Sequence, residues 1–321
     1  MSKLLRATLF GLSAAWLAGT AAAAEVTLKA VNAFNPGTFF SKRFETFVQK
    51  LNEDGKGVLQ IRVVGGPEAI PVFEIGNAVR AGVVDMANTS AVFHANLVPE
   101  ALAMTFTDKP IQELRENGGH ALLDQIHQKK ANMRWLARVS DGLRYHIYTN
   151  RKVDTVAGLK GLKLRSSPVF LVLFREVGVS ALQLPPGEVY TALERGVVDG
   201  YGWPSVGVFD LGWQEKTRYR IDPGFYNVEV SLFINQRKWQ SLTPEQQQLL
   251  EKTVAWVEAR NADDKAVADQ ETSRLKEAGV EVMTWPEDQA EALRKTAFDA
   301  AWASVKRANP KDAAEIEKLF R

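Results

Sequence analysis

Two arginines stand where the chain could hold an anion. In "LKLR", strand alternation turns Leu162 and Leu164 to one face and Lys163 and Arg165 to the other. Arg165 immediately precedes Ser166-Ser167-Pro168, which reads as the start of a helix running from about Val169 to Val177. A forked guanidinium at the carboxyl end of a strand, beside unpaired helix amides, matches a carboxylate in shape and charge. Arg144, which opens the strand "RYHIYTN", is the second candidate. For both, a surface ion pair is the plain alternative.

The stretch "GVVDGYGWP" places Tyr201 and Trp203 on what reads as a turn, where small polar residues are the rule. Aromatics there predict a pocket wall, with core filling as the alternative. The stretch also has a twin. "EIGNAVRAGVVDM" and "EVYTALERGVVDG" both fit E-x-x-x-A-[VL]-x-x-G-V-V-D: a helix, a C-capping glycine, and Val-Val-Asp as the start of a buried strand. Each half of the chain is therefore expected to be an α/β lobe. Ser90 and Phe93 follow the first copy, Trp203 follows the second, and Phe170 begins the helix after Arg165. Ligands of open α/β sheets bind beyond the carboxyl ends of strands, so two such ends facing each other predict a cleft between lobes.

Catalytic patterns are scarce. The chain has no cysteine, which excludes disulfides and thiolate chemistry. No G-x-S-x-G, H-E-x-x-H, Walker or G-x-G-x-x-G pattern occurs, and Pro67 removes an amide from the Gly65-Gly66 loop. His120 and His127 lie seven apart without a carboxylate at metal-ligand spacing, so they read as structural. Neither a metal nor a cofactor is expected, nor an enzyme.

The elements that position these residues alternate. "EVTLKAVNAF" and "GVLQIRVVGG" read as strands flanking a helix from Phe39 to Leu51. Residues 111–131 read as helical, "MRWLARVSDGLRYHIYTN" as two strands, and "VEVSLFINQ" as a strand crossing back between lobes. Thr243-Pro244-Glu245-Gln246 starts a long helix reaching about Gly279. The first 24 residues form a basic start, a short apolar run and an Ala-rich end, which is a secretory signal peptide. The full chain carries 40 basic and 38 acidic residues, and losing Lys3 and Arg6 leaves 38 of each. That balance gives no support for a nucleic-acid or anionic-membrane partner, and with no second long apolar run no membrane insertion is expected.

"LKGLKLRSSP…VGVSALQLPPGEVYTALERGVVDGYGWP" and "NQRKWQSLTPEQQQLLEK" resemble the periplasmic solute-binding proteins of tripartite ATP-independent periplasmic (TRAP) transporters, and the likeness spans nearly the whole mature chain. The resemblance implies a two-lobed α/β binding protein with a cleft between lobes, hinge strands and a long C-terminal helix. It implies residues 25–143 plus about 231–275 in one lobe, 144–230 plus about 276–321 in the other, and delivery of a small organic acid to a membrane permease. Arg165 matches the family's carboxylate-pairing arginine, Arg144 a second arginine position, and Asn32 a polar position at the first strand end. Many members read x-Glu-Asn-Pro after Asp-Gly; here Gly202 replaces the Glu and Trp203 stands where the Asn would be. Losing two polar side chains and gaining an indole favours an aryl or branched 2-oxo or 2-hydroxy monocarboxylate such as benzoylformate or mandelate. Glu68, near the cleft mouth, could accept from a ligand hydroxyl. A sugar acid or C4-dicarboxylate in the same fold, or a periplasmic ligand sensor, is the alternative.

Overall fold

The computed structural model describes residues 24–321, so the leader lies outside the described residues apart from Ala24. Strand β1 (Val26–Asn32) turns Leu28 and Ala30 inward, and the helix Phe39–Asp54 that follows buries Phe40, Phe44, Phe47 and Leu51 along one face. β2 (Leu59–Gly65) returns parallel to β1, and β3 (Met86–Thr89) pairs on its other side. The chain then supplies β4 (Met133–Ser140), β5 (Tyr145–Thr149), β6 (Lys163–Ser166), β7 (Ser180–Gln183), β8 (Gly200–Pro204), β9 (Tyr219–Asp222), β10 (Val230–Asn235) and β11 (Glu281–Thr284). Two sheets result, ordered β2-β1-β3-β10-β4 and β11-β9-β5-β8-β6-β7. Each is the floor of one lobe.

The sequence repeat is structural. Helices Ile75–Ala81 and Val189–Glu194 are followed by Gly82 and Gly196 at φ +76° and +66°, a region that favours glycine. Asp85 Oδ2 accepts from the Lys29 amide at 2.8 Å, and Asp199 Oδ2 from the Lys163 amide at 2.9 Å. β3 is parallel to β1 and antiparallel to β10, just as β8 is parallel to β6 and antiparallel to β5. Val-Val-Asp is not the strand start, however. Val83 and Val197 are exposed, Val84 and Val198 are buried, and the strands begin after the aspartates have tied the bend to the neighbouring strand.

The aromatic stretch departs further from expectation. Gly200–Pro204 is a strand, not a turn, seated between β5 and β6 with all five residues buried. Tyr and Trp suit a pleated interior, and Gly200 admits the Tyr148 carbonyl only because it lacks a Cβ, which would lie 2.1 Å from that oxygen. Two predicted long helices are each broken. Residues 111–131 divide at Asn117-Gly118, and the Thr243-capped helix stops at Glu258 before a second helix, Asp264–Glu277. Its capping box is formed as expected, with Thr243 and Gln246 bonded reciprocally.

The chain leaves the first sheet between Ser140 and Tyr145 and returns between Asp222 and Val230. These connections pair, through an Arg144–Asn227 bridge and the Val228 amide donating to the Leu143 carbonyl at 2.9 Å. The 22-residue helix Glu287–Ala308 packs on both the Pro168–Glu176 helix of the second lobe and the Pro99–Met104 turn of the first. The last helix, Ala313–Phe320, lies against Gly119–Ala131 on the first-lobe side. No helix among the described residues is long and apolar enough to cross a membrane.

Candidate ligand-binding cleft

Arg165 sits where β6 ends, 1% exposed. Its Nε donates to the Leu184 carbonyl at 3.0 Å and its Nη1 to the Gly202 carbonyl at 3.2 Å, while Nη2 is buried without a partner. No carboxylate within ion-pair distance of it occurs among the described residues. Burial pushes its pKa down to about 10, against the attraction of Tyr145. A buried cation without a counter-ion is costly, and an arriving carboxylate supplies what the fold withholds.

Arg165 lines an inner chamber of about 30 Å³, walled also by Ser90, Phe93, Tyr145, Phe170, Trp203 and Glu229, among others. One water-sized probe needs roughly 10–15 Å³, so this volume takes a head group of a few atoms. Beyond Trp203 lies an outer chamber of about 310 Å³, apolar along Phe34, Val72, Phe73, Pro185 and Leu211, with Asn35, Thr38, Glu188 and Asp210 as its polar members. Trp203 belongs to both. Its Nε1 donates to the Val206 carbonyl at 3.1 Å, its ring meets Trp213 edge-on at 4.6 Å, and the Arg165 Cζ lies 5.4 Å from its centroid. The indole is thus fixed as a partition with its polar edge satisfied.

Gly202 makes this possible. A Cβ there would lie 2.8 Å from the Phe170 ring, so the small residue and the ring occupy one space. Phe170 in turn stands edge-on to Tyr145 at 5.0 Å. Across the cleft mouth, the Asp210 carboxylate accepts from the Phe39 amide at 2.7 Å, joining the second lobe to the first turn of a first-lobe helix.

The structure brings Arg165, Trp203, Phe93, Phe170 and Ser90 together and leaves the other four expected residues elsewhere. Arg144, with its side chain 39% exposed, pairs with Asp108 at the hinge and lines neither chamber. Tyr201 is core: its ring stacks on Tyr148 at 4.9 Å and its hydroxyl shares a 2.7 Å bond with Thr217. Strand alternation points it with Trp203 toward Trp213, but one residue pair deeper in the sheet. Asn32 spends its amide within its own lobe, donating to Ser41 at 2.9 Å and accepting from Phe34 and Asn88. Glu68 accepts from the Gly66 amide at 2.7 Å and faces a separate shallow groove with Asn32; that backbone bond holds its pKa below the ordinary value.

Sequence reasoning missed Tyr145, Phe34 and above all Glu229. Glu229 is fully buried; its Oε2 accepts from Ser90 Oγ at 2.9 Å and the Ala91 amide at 2.8 Å, and its Oε1 has no partner. Burial raises its pKa, opposed first by the Ser231 hydroxyl, then by the Ala91 amide, Arg138 and Ser90. The signal was present: one acid between valines in "NVEVSLFIN" at the mouth of a buried strand. The histidines serve packing. His127 donates from Nδ1 to the Leu123 carbonyl at 2.7 Å, so its Nε2 accepts from His94 Nε2 at 3.3 Å. No group of three metal-ligating side chains occurs among the described residues.

The family model for bacterial extracellular solute-binding protein, family 7 (DctP), matches residues 31–308. A 2,3-diketo-L-gulonate-binding periplasmic protein of Escherichia coli K12 is 29% identical over 262 residues, covering 76% of each chain. A monocarboxylate 2-oxoacid-binding periplasmic protein of Nostoc sp. PCC 7120 is 27% identical over 278 residues, covering 82% of this chain and 74% of that one. Among solved structures, a TRAP periplasmic solute-binding protein from Desulfovibrio salexigens with bound orotic acid superposes with a TM-score of 0.82 at 22% identity, covering 92% of this chain and 97% of that one. An extracytoplasmic solute receptor of Bordetella pertussis that binds pyroglutamic acid superposes with a TM-score of 0.81 at 20% identity, covering 92% and 99%. The two-lobed fold agrees with that match: the chain belongs to the family 7 bacterial extracellular solute-binding proteins.

Proposed function

We propose that the protein captures a small organic acid in the periplasm and presents it to a TRAP permease, and that the favoured ligand is a monocarboxylate with an aryl or branched body, either a 2-oxo or a 2-hydroxy acid. The observation that carries this is the buried, unpaired Nη2 of Arg165, a residue that lines a chamber sized for a small polar head group. The carboxylate enters the inner chamber, and a charge-assisted bond there contributes about 1.5–3 kcal/mol. The body remains beyond Trp203, where a stacked aromatic ring gains about 0.5–1.5 kcal/mol over burial alone. Benzoylformate and mandelate have that shape. The binding of monocarboxylate 2-oxoacids by the Nostoc relative supports an acid of this class.

Residues from both lobes line both chambers, so a bound acid favours the closed arrangement through its higher affinity for it. In this reading residues 25–143 with about 231–275 form one moving body and 144–230 with about 276–286 the other, with the helix Glu287–Ala308 bridging both and Ala313–Phe320 moving with the first. Asn35, Thr38 and Glu188 in the outer chamber favour a second reading, a sugar acid whose hydroxyls they meet, as bound by the Escherichia coli relative.

A thermal-shift screen of the protein from Glu25 onward decides between them. The panel holds aryl and branched 2-oxo and 2-hydroxy acids, hexonates, hexuronates and C4-dicarboxylates. Ligand at a hundred times its dissociation constant adds about 2.7 kcal/mol of stability. Stabilisation by aryl or branched acids, lost in Arg165→Ala, supports the proposal; stabilisation by hexonates or dicarboxylates alone overturns it.

A further inference from the structure

Glu229 is an acid in the chamber assigned to an acid's head group, and the carboxylate reading leaves it unexplained. Its two oxygens differ. Oε2 is engaged by Ser90 and Ala91, whereas Oε1 is buried and bonded to nothing. The groups around it are Arg138 from β4, Tyr145 from β5 and Ser231 beside it on β10, with Arg165 of β6 in the lining of the same chamber. Arg138 is itself fully buried; it donates to the Val228 carbonyl at 3.3 Å and lies 3.6 Å from Asp141. The Ser231 hydroxyl draws the carboxyl's pKa down from beside it, yet no group hydrogen-bonds with Oε1.

We propose that Glu229 reads the substituent beside the ligand's carboxylate, its Oε1 accepting a hydrogen bond from a donor on the adjacent carbon, so that 2-hydroxy acids bind more tightly than 2-oxo acids of the same body. This rests on the carboxylate reading of the cleft and narrows it. Arg165 and Glu229 line one small chamber, so a ligand whose carboxylate is on Arg165 brings the neighbouring carbon's substituent toward Glu229. A hydroxyl there satisfies both itself and Oε1. A ketone oxygen sets two acceptors face to face, and an unsatisfied buried pair is expensive.

The ketone has one remedy: a proton on Glu229, which turns Oε1 into a donor. Burial already favours that proton. Binding of a 2-oxo acid is therefore coupled to proton uptake and strengthens as pH falls, whereas binding of the 2-hydroxy acid does not. The Ser90 and Ala91 bonds to Oε2 survive in either state, so the wall itself does not move.

The test is titration calorimetry with matched pairs, mandelate against benzoylformate and 2-hydroxyisocaproate against 4-methyl-2-oxopentanoate, at pH 8.0 and 5.5. Wild type is expected to prefer the hydroxy acid by about ten-fold or more at pH 8.0, with the gap narrowing at pH 5.5 through tighter 2-oxo binding. Glu229→Gln, whose amide can turn either face, is expected to bring the pair within about three-fold at both pH values. Equal or tighter 2-oxo binding by wild type at pH 8.0 overturns the inference, as does an unchanged preference in Glu229→Gln. Should that variant fail to fold, the wild-type pH series decides alone, and a gap that does not narrow overturns it. If acids bind through Arg165 without any Glu229-dependent preference, this inference fails and the carboxylate reading stands; if no carboxylate binds, both fall.

Discussion

Arg165→Met replaces a guanidinium by an apolar side chain that fits the same strand-end position. In the unliganded protein Arg165 makes two bonds to carbonyls and meets no counter-charge. A guanidinium held down to about 10 from its ordinary 12.5 has its charged form disfavoured by roughly 3 kcal/mol. Replacing such a buried ion by an apolar group is often stabilising, by about 1–4 kcal/mol. The variant is therefore expected to melt higher than wild type without ligand, by about 2–4 °C for each kcal/mol gained. It is also expected to lose the ligand. One charge-assisted bond at about 1.5–3 kcal/mol amounts to a Kd about 10- to 150-fold weaker. Differential scanning calorimetry with and without a stabilising acid measures both effects in one experiment. A variant that melts lower than wild type on its own, or keeps its ligand-induced shift, refutes the assignment of Arg165 as an ion waiting for its partner.

Three further perturbations follow from the geometry. Asp210→Asn weakens the bond to the Phe39 amide that joins the lobes across the cleft mouth, and ligand Kd is expected to rise by about 2- to 30-fold through faster dissociation, read by stopped-flow fluorescence; an unchanged rate rules out the latch. Gly202→Ala places a methyl 2.8 Å from the Phe170 ring, which is expected to cost about 1–3 kcal/mol of stability and to crowd the inner chamber, so both melting temperature and affinity should fall. Acid should destabilise the protein through its histidines: burial holds His94 well below its ordinary value, His120 at about 3 and His127 at about 4. Their folded-state pKa values lie below the unfolded value of about 6.5, so their stability is complete above pH 6.5 and is lost as pH falls from there toward 4. Asp264, held up at about 6 by burial, and Asp124, Glu229, Glu258 and Glu271, also raised by burial, oppose this, so the histidine contribution is read as the difference in pH slope between wild type and His120→Phe. Equal slopes of melting temperature in the two proteins from pH 7 to 4.5 contradict that sign.

Much of the fold was legible because it obeys short-range rules. The period of Phe40, Phe44, Phe47 and Leu51, the Thr243-to-Gln246 box and the repeated helix–Gly–Val-Val-Asp unit each state their structure locally. Arg165 was legible because strand alternation and a following Ser-Ser-Pro fix both its direction and its neighbours. The misplaced residues share a different cause. Tyr201 and Trp203 lie on one strand face, and only the position of Trp213 and Tyr148, both distant in sequence, decides which of them is core and which is wall. Arg144 carries the right charge but meets Asp108 first. Asn32 and Glu68 are polar residues near the cleft whose hydrogen bonds are consumed by their own loops. Glu229 was hidden by the opposite error, a charge on a strand that reads as interior and that the second hinge carries into the cleft.

The central claim is that the cleft recognises a carboxylate through Arg165. Isothermal titration of wild-type protein with mandelate and with mandelamide, its neutral amide of nearly equal size, tests it most directly. The account predicts binding of the acid and at least about ten-fold weaker binding of the amide, because only the anion answers the buried guanidinium. Equal affinity for the two would contradict it and make the cleft a receptor for the apolar body alone.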